Sequence, residues 1–154
     1  MLFRSSIVSQ VNVNIKRLDP EVELPRYAYE GDAGLDIRAN ESVDIPPHER
    51  ALISTGLAIA LPDGYAGFMQ PRSGMALKRG LSIANTPGLI DAHYRGELKV
   101  IAVNLDPRET VHIERGERIA QLVIQEVPLV KLIEVDELDE TDRGEGGFGS
   151  SGTR

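Results

Sequence analysis

Apolar residues fall at every second position over short runs of this chain, and each run stops at a turn residue. That pairing constrains the fold most. Strands put alternate side chains on opposite faces, whereas a helix needs a period near 3.6. Over residues 11–18, Val11, Val13 and Ile15 share one face and Asn12, Asn14 and Lys16 the other, as in a half-buried strand. SVDI (42–45) ends at Pro46-Pro47. ALISTGLAIAL (51–61) reads as one apolar, β-branched strand closed by Pro62-Asp63-Gly64. GYAGFMQP, LSI, ELKVIAVNL, TVHI, IAQLVIQEV and VKLIEV supply further short strands between Gly, Pro, Asn or Asp. Only SGMALKRG (73–80) departs. Its serine cap, helix formers, Lys78 and Arg79 near the end, and closing glycine predict a short helix. Many short strands with frequent turns predict an all-β sandwich or barrel.

The chain's 154 residues suit one domain. Its composition changes after Val135, where DELDETDRGEGGFGSSGTR turns first acidic and then glycine-rich. The expected organisation is a loose extension over residues 1–10, a packed domain over 11–135 and a flexible arm over 136–154. Cysteine is absent, which excludes disulfides and thiolate metal sites. His48, His93 and His112 are scattered without zinc spacing. A net charge of −7 argues against a nucleic-acid polymer as partner but permits a small anion met by a few local arginines. MLFRSSIVSQ holds no apolar run long enough for a signal core, and no stretch is built to span a bilayer. The expected compartment is the cytoplasm, with no membrane partner.

Polar residues crowd into four segments between strands, and the arm makes a fifth. In DAGLDIRA, Asp36 stands among Leu35, Ile37 and Ala39, either as a solvated edge residue or as a functional carboxylate. In PRSGMALKRG, Arg72 and Ser73 stand where a strand enters the helix. A helix start offers free N–H groups to an anion and arginine offers a planar fork, yet a simple cap and a surface charge also account for them. NTPGLIDAHYRGELKV is densest, with Asn85, Asp91, His93, Tyr94 and Lys99 around two turns. Such a hairpin can show backbone groups to a base edge, Asp91 can accept a proton from water, and Tyr94 can pack flat on a sugar. A polar hairpin tip explains that gathering less well. In ERGERIAQLVI, Arg118 and Gln121 lead into a buried strand and, taken alone, read better as its wet face than as a site. GEGGFG in the arm has the composition of a nucleotide-binding glycine loop but no strand-to-helix context.

AGLDI, PRSGMA, NTPGLIDAHYRGELKV, RGERIAQL and RGEGGFGSSG occur in that order. Together they resemble the five motifs of the homotrimeric deoxyuridine triphosphatase (dUTPase) family, over nearly the whole chain. The resemblance implies a jelly-roll-like β-barrel with one short helix and a flexible glycine-rich arm, assembled as a homotrimer with active sites between subunits. It implies hydrolysis of dUTP to dUMP and pyrophosphate with Mg²⁺, which limits uracil in DNA and supplies dUMP for thymidylate synthesis. By the same resemblance Asp36 would hold the Mg²⁺ through water. Arg72, Ser73 and Gly74 would bind phosphate. Asn85 and the backbone of Leu89, Ile90 and Asp91 would read uracil and deoxyribose, and Asp91 would also activate the attacking water. Tyr94 would pack under the deoxyribose, and Lys99 would support the site. Arg118 and Gln121 would lie near the phosphates and the water, with Gln121 assisting catalysis. Arg143, Phe148, Gly149, Ser150 and Ser151 would close over the nucleotide. Leu89, where threonine or valine is common, and Ile37 for leucine are the departures. Two rival readings are a dCTP deaminase of the same superfamily, which usually carries a different arginine-serine motif, and a non-catalytic trimeric module.

Overall fold

A computed structural model describes residues 9–153. The first eight residues of the expected N-terminal extension lie outside the described part. Among the described residues eleven strands and one helix follow one another: β1 (Asn14–Arg17), β2 (Leu35–Arg38), β3 (Val43–Ile45), β4 (Arg50–Ser54), β5 (Leu57–Ala60), β6 (Tyr65–Pro71), α1 (Ser73–Arg79), β7 (Leu81–Ile83), β8 (Gly88–Ile90), β9 (Lys99–Asn104), β10 (Val111–Ile113) and β11 (Arg118–Glu126). Every pairing is antiparallel. Strand β2 pairs with β11, β3 with β10 and β4 with β9, a nested order in which early strands meet late ones in reverse. That nesting is the jelly-roll plan. Hydrogen bonds group the strands into four sheets, β1-β5, β10-β3, β2-β11-β6-β8 and β4-β9-β7, and do not join these into a closed barrel.

The alternation seen in the sequence builds the core. Strand β9 buries Val100, Ala102 and Asn104 and turns Lys99 outward, while β10 buries Val111 and Ile113. These meet Ile37, Ile45, Ile53, Ile119 and Leu122, all at 2% exposure or less. Each such aliphatic side chain contributes about 1.5–3 kcal/mol relative to an exposed one. Asn104 is buried with them because its polar atoms are met: Nδ2 donates to the carbonyls of Ile45 and Glu109, and Oδ1 accepts from the Asp106 N–H.

Four local expectations change. ALISTGLAIAL is two strands, split at Thr55-Gly56, where Gly56 takes a left-handed backbone (φ 71°) and the Thr55 hydroxyl donates to the Leu98 carbonyl at 2.5 Å. Strand β1 is exposed along its whole length, and of the apolar face expected there Val13 packs against the core while Val11 and Ile15 are only partly covered by the described residues. VKLIEV (130–135) forms no strand and leaves Leu132 and Ile133 mostly exposed, because no sheet edge among the described residues meets it. The helix forms as expected and ends at Gly80 in the left-handed region (φ 71°), but its cap position is Arg72 rather than Ser73 and carries no side-chain cap bond. The Ser73 hydroxyl is thereby left exposed. No helix among the described residues is long and apolar enough to cross a membrane.

Candidate active site

Two clusters of the expected residues stand out. The first is a cleft of about 320 Å³ lined by Asn85, Leu89, Ile90, Asp91, Tyr94 and Lys99, with Leu52, Met69, Ile83 and Ile101 among its apolar walls. Strand β8 supplies one side. Pairing of Phe68 with Leu89 and Gly67 with Ile90 fixes its backbone, burying Ile90 and turning the Leu89 side chain out. A tight turn then carries the Tyr94 N–H back to the Asp91 carbonyl at 3.1 Å and leaves the Asp91 carboxylate exposed at the cleft.

Tyr94 is held in place. Its hydroxyl donates to the Glu97 carbonyl at 2.8 Å, and its ring lies against Gly96, where a Cβ would overlap the hydroxyl. Glu97 is itself anchored, its carboxylate accepting from the Ser54 hydroxyl and, at 2.9 Å, from the Gly56 N–H. The Ser54 bond, followed by that N–H, holds the Glu97 carboxyl below the usual range against the cost of burial. Glu97 and Gly96 carried no expected role. Their signal in the sequence was only adjacency to Tyr94, and the contact that matters is made by a backbone carbonyl.

The second cluster gathers where β2 and β6 flank β11. Arg118 Nη1 lies 3.4 Å from Asp36 Oδ2. Arg72 Nη1 donates to the Arg118 carbonyl at 3.1 Å, and Gln121 Nε2 donates to the Pro71 carbonyl at 3.0 Å. The register explains this meeting, for Gln121 faces Asp36 on one side and Gln70 on the other, and Ala120 faces Pro71. Gln121 packs on Gly34, where a Cβ would come within 2.5 Å of Oε1. Ser73 and Gly74 open the helix beside Arg72, both exposed, with open space over Gly74. Arg72, Ser73 and Gly74 at the start of the helix thus stand beside an arginine, an aspartate and a glutamine from two strands.

The clusters share no lining residue. Asp36 borders a separate cleft of about 330 Å³ with Glu21, Arg38 and Arg115, and none of Arg72, Arg118 or Gln121 lines the cleft of Asp91. The arm joins neither cluster by a hydrogen bond among the described residues. Its bonds are internal turns, with Arg143 Nε donating to the Gly146 carbonyl at 2.6 Å, and Phe148 is fully exposed. Gly149, Ser150 and Ser151 are exposed as well. One chain therefore presents three separate parts, each rich in groups that suit one portion of a nucleotide: a half-apolar cleft, an arginine cluster and a glycine-rich arm.

Residues 20–152 match the family described as dUTPase. The chain belongs to that family. It is similar, at 61% identity over 118 residues covering 77% of this chain and 78% of the relative, to the deoxyuridine 5'-triphosphate nucleotidohydrolase of Corynebacterium diphtheriae. Similarity to the Streptomyces avermitilis protein of the same description is 56% over 121 residues, 79% of this chain and 69% of that one. Among solved structures, the dUTPase of Staphylococcus bacteriophage 80alpha with dUPNHPP superposes with a TM-score of 0.85 at 34% identity, covering 94% of this chain and all of that one. A point mutant of the dUTPase from phage phi11 of S. aureus, described for its coordination of a structural Mg(II) ion, gives 0.77 at 30% identity over 84% of this chain and all of that one. Membership of the dUTPase family makes the chain an enzyme, a hydrolase of the dUTP diphosphatase class.

Proposed function

We propose that this dUTPase cleaves dUTP by Mg²⁺-assisted attack of water on the α-phosphorus, giving dUMP and pyrophosphate, in active sites shared between three copies of the chain. The carrying observation is the exposed Asp91 carboxylate at the mouth of a cleft whose other wall is the fixed Tyr94 ring. In the reaction an oxygen–phosphorus bond forms between water and the α-phosphorus. The bond from that phosphorus to the bridging oxygen breaks, and the water's proton passes to Asp91. A carboxylate is a weak base toward water, so positioning must do much of the work.

Asn85 and the β8 backbone offer donors and acceptors to uracil. Cytosine presents a donor where uracil presents an acceptor, and such a mismatch costs on the order of 1–3 kcal/mol. With its hydroxyl already given to Glu97, Tyr94 presents a flat apolar face to the sugar and has no donor free for a 2′-OH. Lys99, exposed at the cleft, supports the site. Arg72, Ser73, Gly74 and Arg118 meet the phosphates as forked cations, a free hydroxyl and open backbone. Gln121 orders the water or the phosphate beside it.

No three His, Asp or Glu side chains converge to hold a metal among the described residues, so the chain offers no all-protein cage. That fits Mg²⁺, which keeps several waters and is shared with substrate phosphates, and Asp36 provides the single carboxylate to hold it through water. The chemistry a bound Mg²⁺ supplies is neutralisation of charge on the phosphate oxygens.

Uncovered apolar surface supports the trimer. Val11 and Ile15 of the N-terminal part and Leu129, Leu132 and Ile133 after β11 lie exposed in the single chain. So does the separation of the two clusters, which a second copy can bridge. We propose further that residues 11–135 form the packed unit and that 136–154 close as a lid, Arg143 on the γ-phosphate and Phe148 on the uracil, with Gly149, Ser150 and Ser151 around the phosphates. The enzyme then limits uracil in DNA and supplies dUMP. Pyrophosphate release from dUTP with Mg²⁺, set against nucleotide binding, tests the reading. Asp91→Ala should lose nearly all turnover while binding dUTP close to wild type. Near-normal turnover in that variant would remove Asp91 as the base, and ammonia release from dCTP would replace the reading with a deaminase.

A further inference from the structure

Helix α1 carries the phosphate-binding positions Ser73 and Gly74, yet little packing holds it. It has seven residues, of which Met75 alone is buried. A helix so short does not hold itself in water, and its placement must come from ties to its neighbours. Two arginines supply them, one at each end. Arg72 donates to the carbonyl of Arg118 at 3.1 Å. Arg79, in the last turn, meets Glu117 Oε2 at 2.7 Å and also donates to the His112 carbonyl. Both ends are therefore tied to consecutive residues, Glu117 and Arg118, at the start of β11.

Glu117 is well placed to bear this. Its other oxygen accepts from the Glu114 N–H at 3.2 Å, its own N–H closes the turn onto the Glu114 carbonyl at 3.0 Å, and its carbonyl accepts from the Ala39 N–H at 2.9 Å. Arg79 and Glu117 are each one-third exposed, and their ion pair is a charge-assisted bond sheltered on most sides. We infer that Arg79 and Glu117 are a positioning pair that sets helix α1, and with it Ser73 and Gly74, against Arg118. This inference rests on the phosphate-binding reading of Arg72, Ser73 and Gly74. Loss of this pair leaves the far end held by the Leu105 N–H bond to the Gly80 carbonyl at 2.8 Å and by its join to β7, and lets the helix tilt about the Arg72–Arg118 bond enough to misalign the phosphates. The uracil cleft takes no residue from α1, so nucleoside binding stays as it was.

The test uses the full chain with kcat/KM for dUTP at saturating Mg²⁺, the inhibition constant of deoxyuridine, and Tm. Arg79→Met and Glu117→Gln should each lower kcat/KM by about tenfold, the scale of a small misplacement, and leave deoxyuridine inhibition unchanged. The double variant should be no worse than either single one, as for two members of one contact. Arg79→Lys, which keeps the charge and can reach Glu117, should recover most of the rate. Full kcat/KM in either single variant, additive losses, or a parallel loss of deoxyuridine inhibition overturns the inference. Arg72→Ala separates the two levels. If it leaves kcat/KM unchanged, the phosphate reading itself fails. If it lowers kcat/KM while the Arg79 and Glu117 variants do not, only the positioning pair fails.

Discussion

Arg118 of β11 reaches across the sheet to Asp36 of β2, its Nη1 3.4 Å from Oδ2. The Asp36 side chain is one-fifth exposed, so the pair sits at the edge of the sheet rather than inside it. On the proposed function, Arg118 holds the carboxylate that takes the Mg²⁺ through water. Asp36→Asn keeps the shape and removes the charge. It should weaken Mg²⁺ binding by about 10- to 100-fold, the usual cost of an outer-shell partner. Calorimetric titration of Mg²⁺ in the presence of a non-hydrolysable dUTP analogue reads this directly, and an unchanged affinity would return Asp36 to a structural role.

The Tyr94 hydroxyl depends on the absence of a side chain at Gly96. Gly96→Ala should drive the ring off the Glu97 carbonyl and lower kcat/KM for dUTP by about 10- to 100-fold, as expected for a displaced substrate contact. Tyr94→Phe removes only the nearest of the three overlapping atoms, because two ring carbons would still lie 2.6 and 2.9 Å from that Cβ. Added to Gly96→Ala, it should therefore give back little of the loss, whereas full recovery would show that the hydroxyl alone caused it.

No core residue lies beyond β11 among the described residues. A chain stopped after Asp142 should therefore keep its Tm and its assembly while losing turnover by at least about tenfold, as for a lid that completes a site. Phe148→Ala should follow in the same direction and Phe148→Trp should not. Stopped-flow turnover beside calorimetry checks both, and full activity of the shortened chain would make the arm dispensable.

His112 lies between two carboxylates, 2.8 Å from Glu114 and 2.5 Å from Asp44, while its own carbonyl takes Arg79 and Glu114 also accepts from Ser42. The bond to Glu114, then that to Asp44, raises the imidazole above its ordinary value, and the bond from His112 chiefly lowers Glu114. A raised histidine stabilises fully below its unfolded value and loses that contribution as pH climbs through the folded one. A lowered carboxylate contributes above its unfolded value and loses it as pH falls. The clamp between β3 and β10 is therefore complete between about pH 4.5 and 6.5. The Tm advantage of wild type over His112→Gln should be largest near pH 6 and shrink by about pH 9. A difference that is flat with pH would assign His112 to packing alone.

Much of this protein was legible in one dimension. Alternation at Lys99 to Asn104 and the break at Pro62-Asp63-Gly64 depend on φ/ψ preference and side-chain period, which are local properties. The helix, its closing Gly80 and the family motifs were readable for the same reason. Tertiary structure decided the rest. Whether ALISTGLAIAL is one strand or two turned on the Thr55 bond to Leu98, 43 residues away. Whether Ser73 caps its helix turned on Arg72 being drawn to Arg118. Glu97 became a site residue only because folding brought its carbonyl to Tyr94 and its carboxylate to Ser54 and Gly56. Local sequence determines which groups a segment can offer. Long-range packing determines which groups of distant segments meet, as Glu97 meets Ser54 and Gly56, because those contacts depend on the register of strands far apart in the chain, whereas the Tyr94 bond to Glu97 spans three residues.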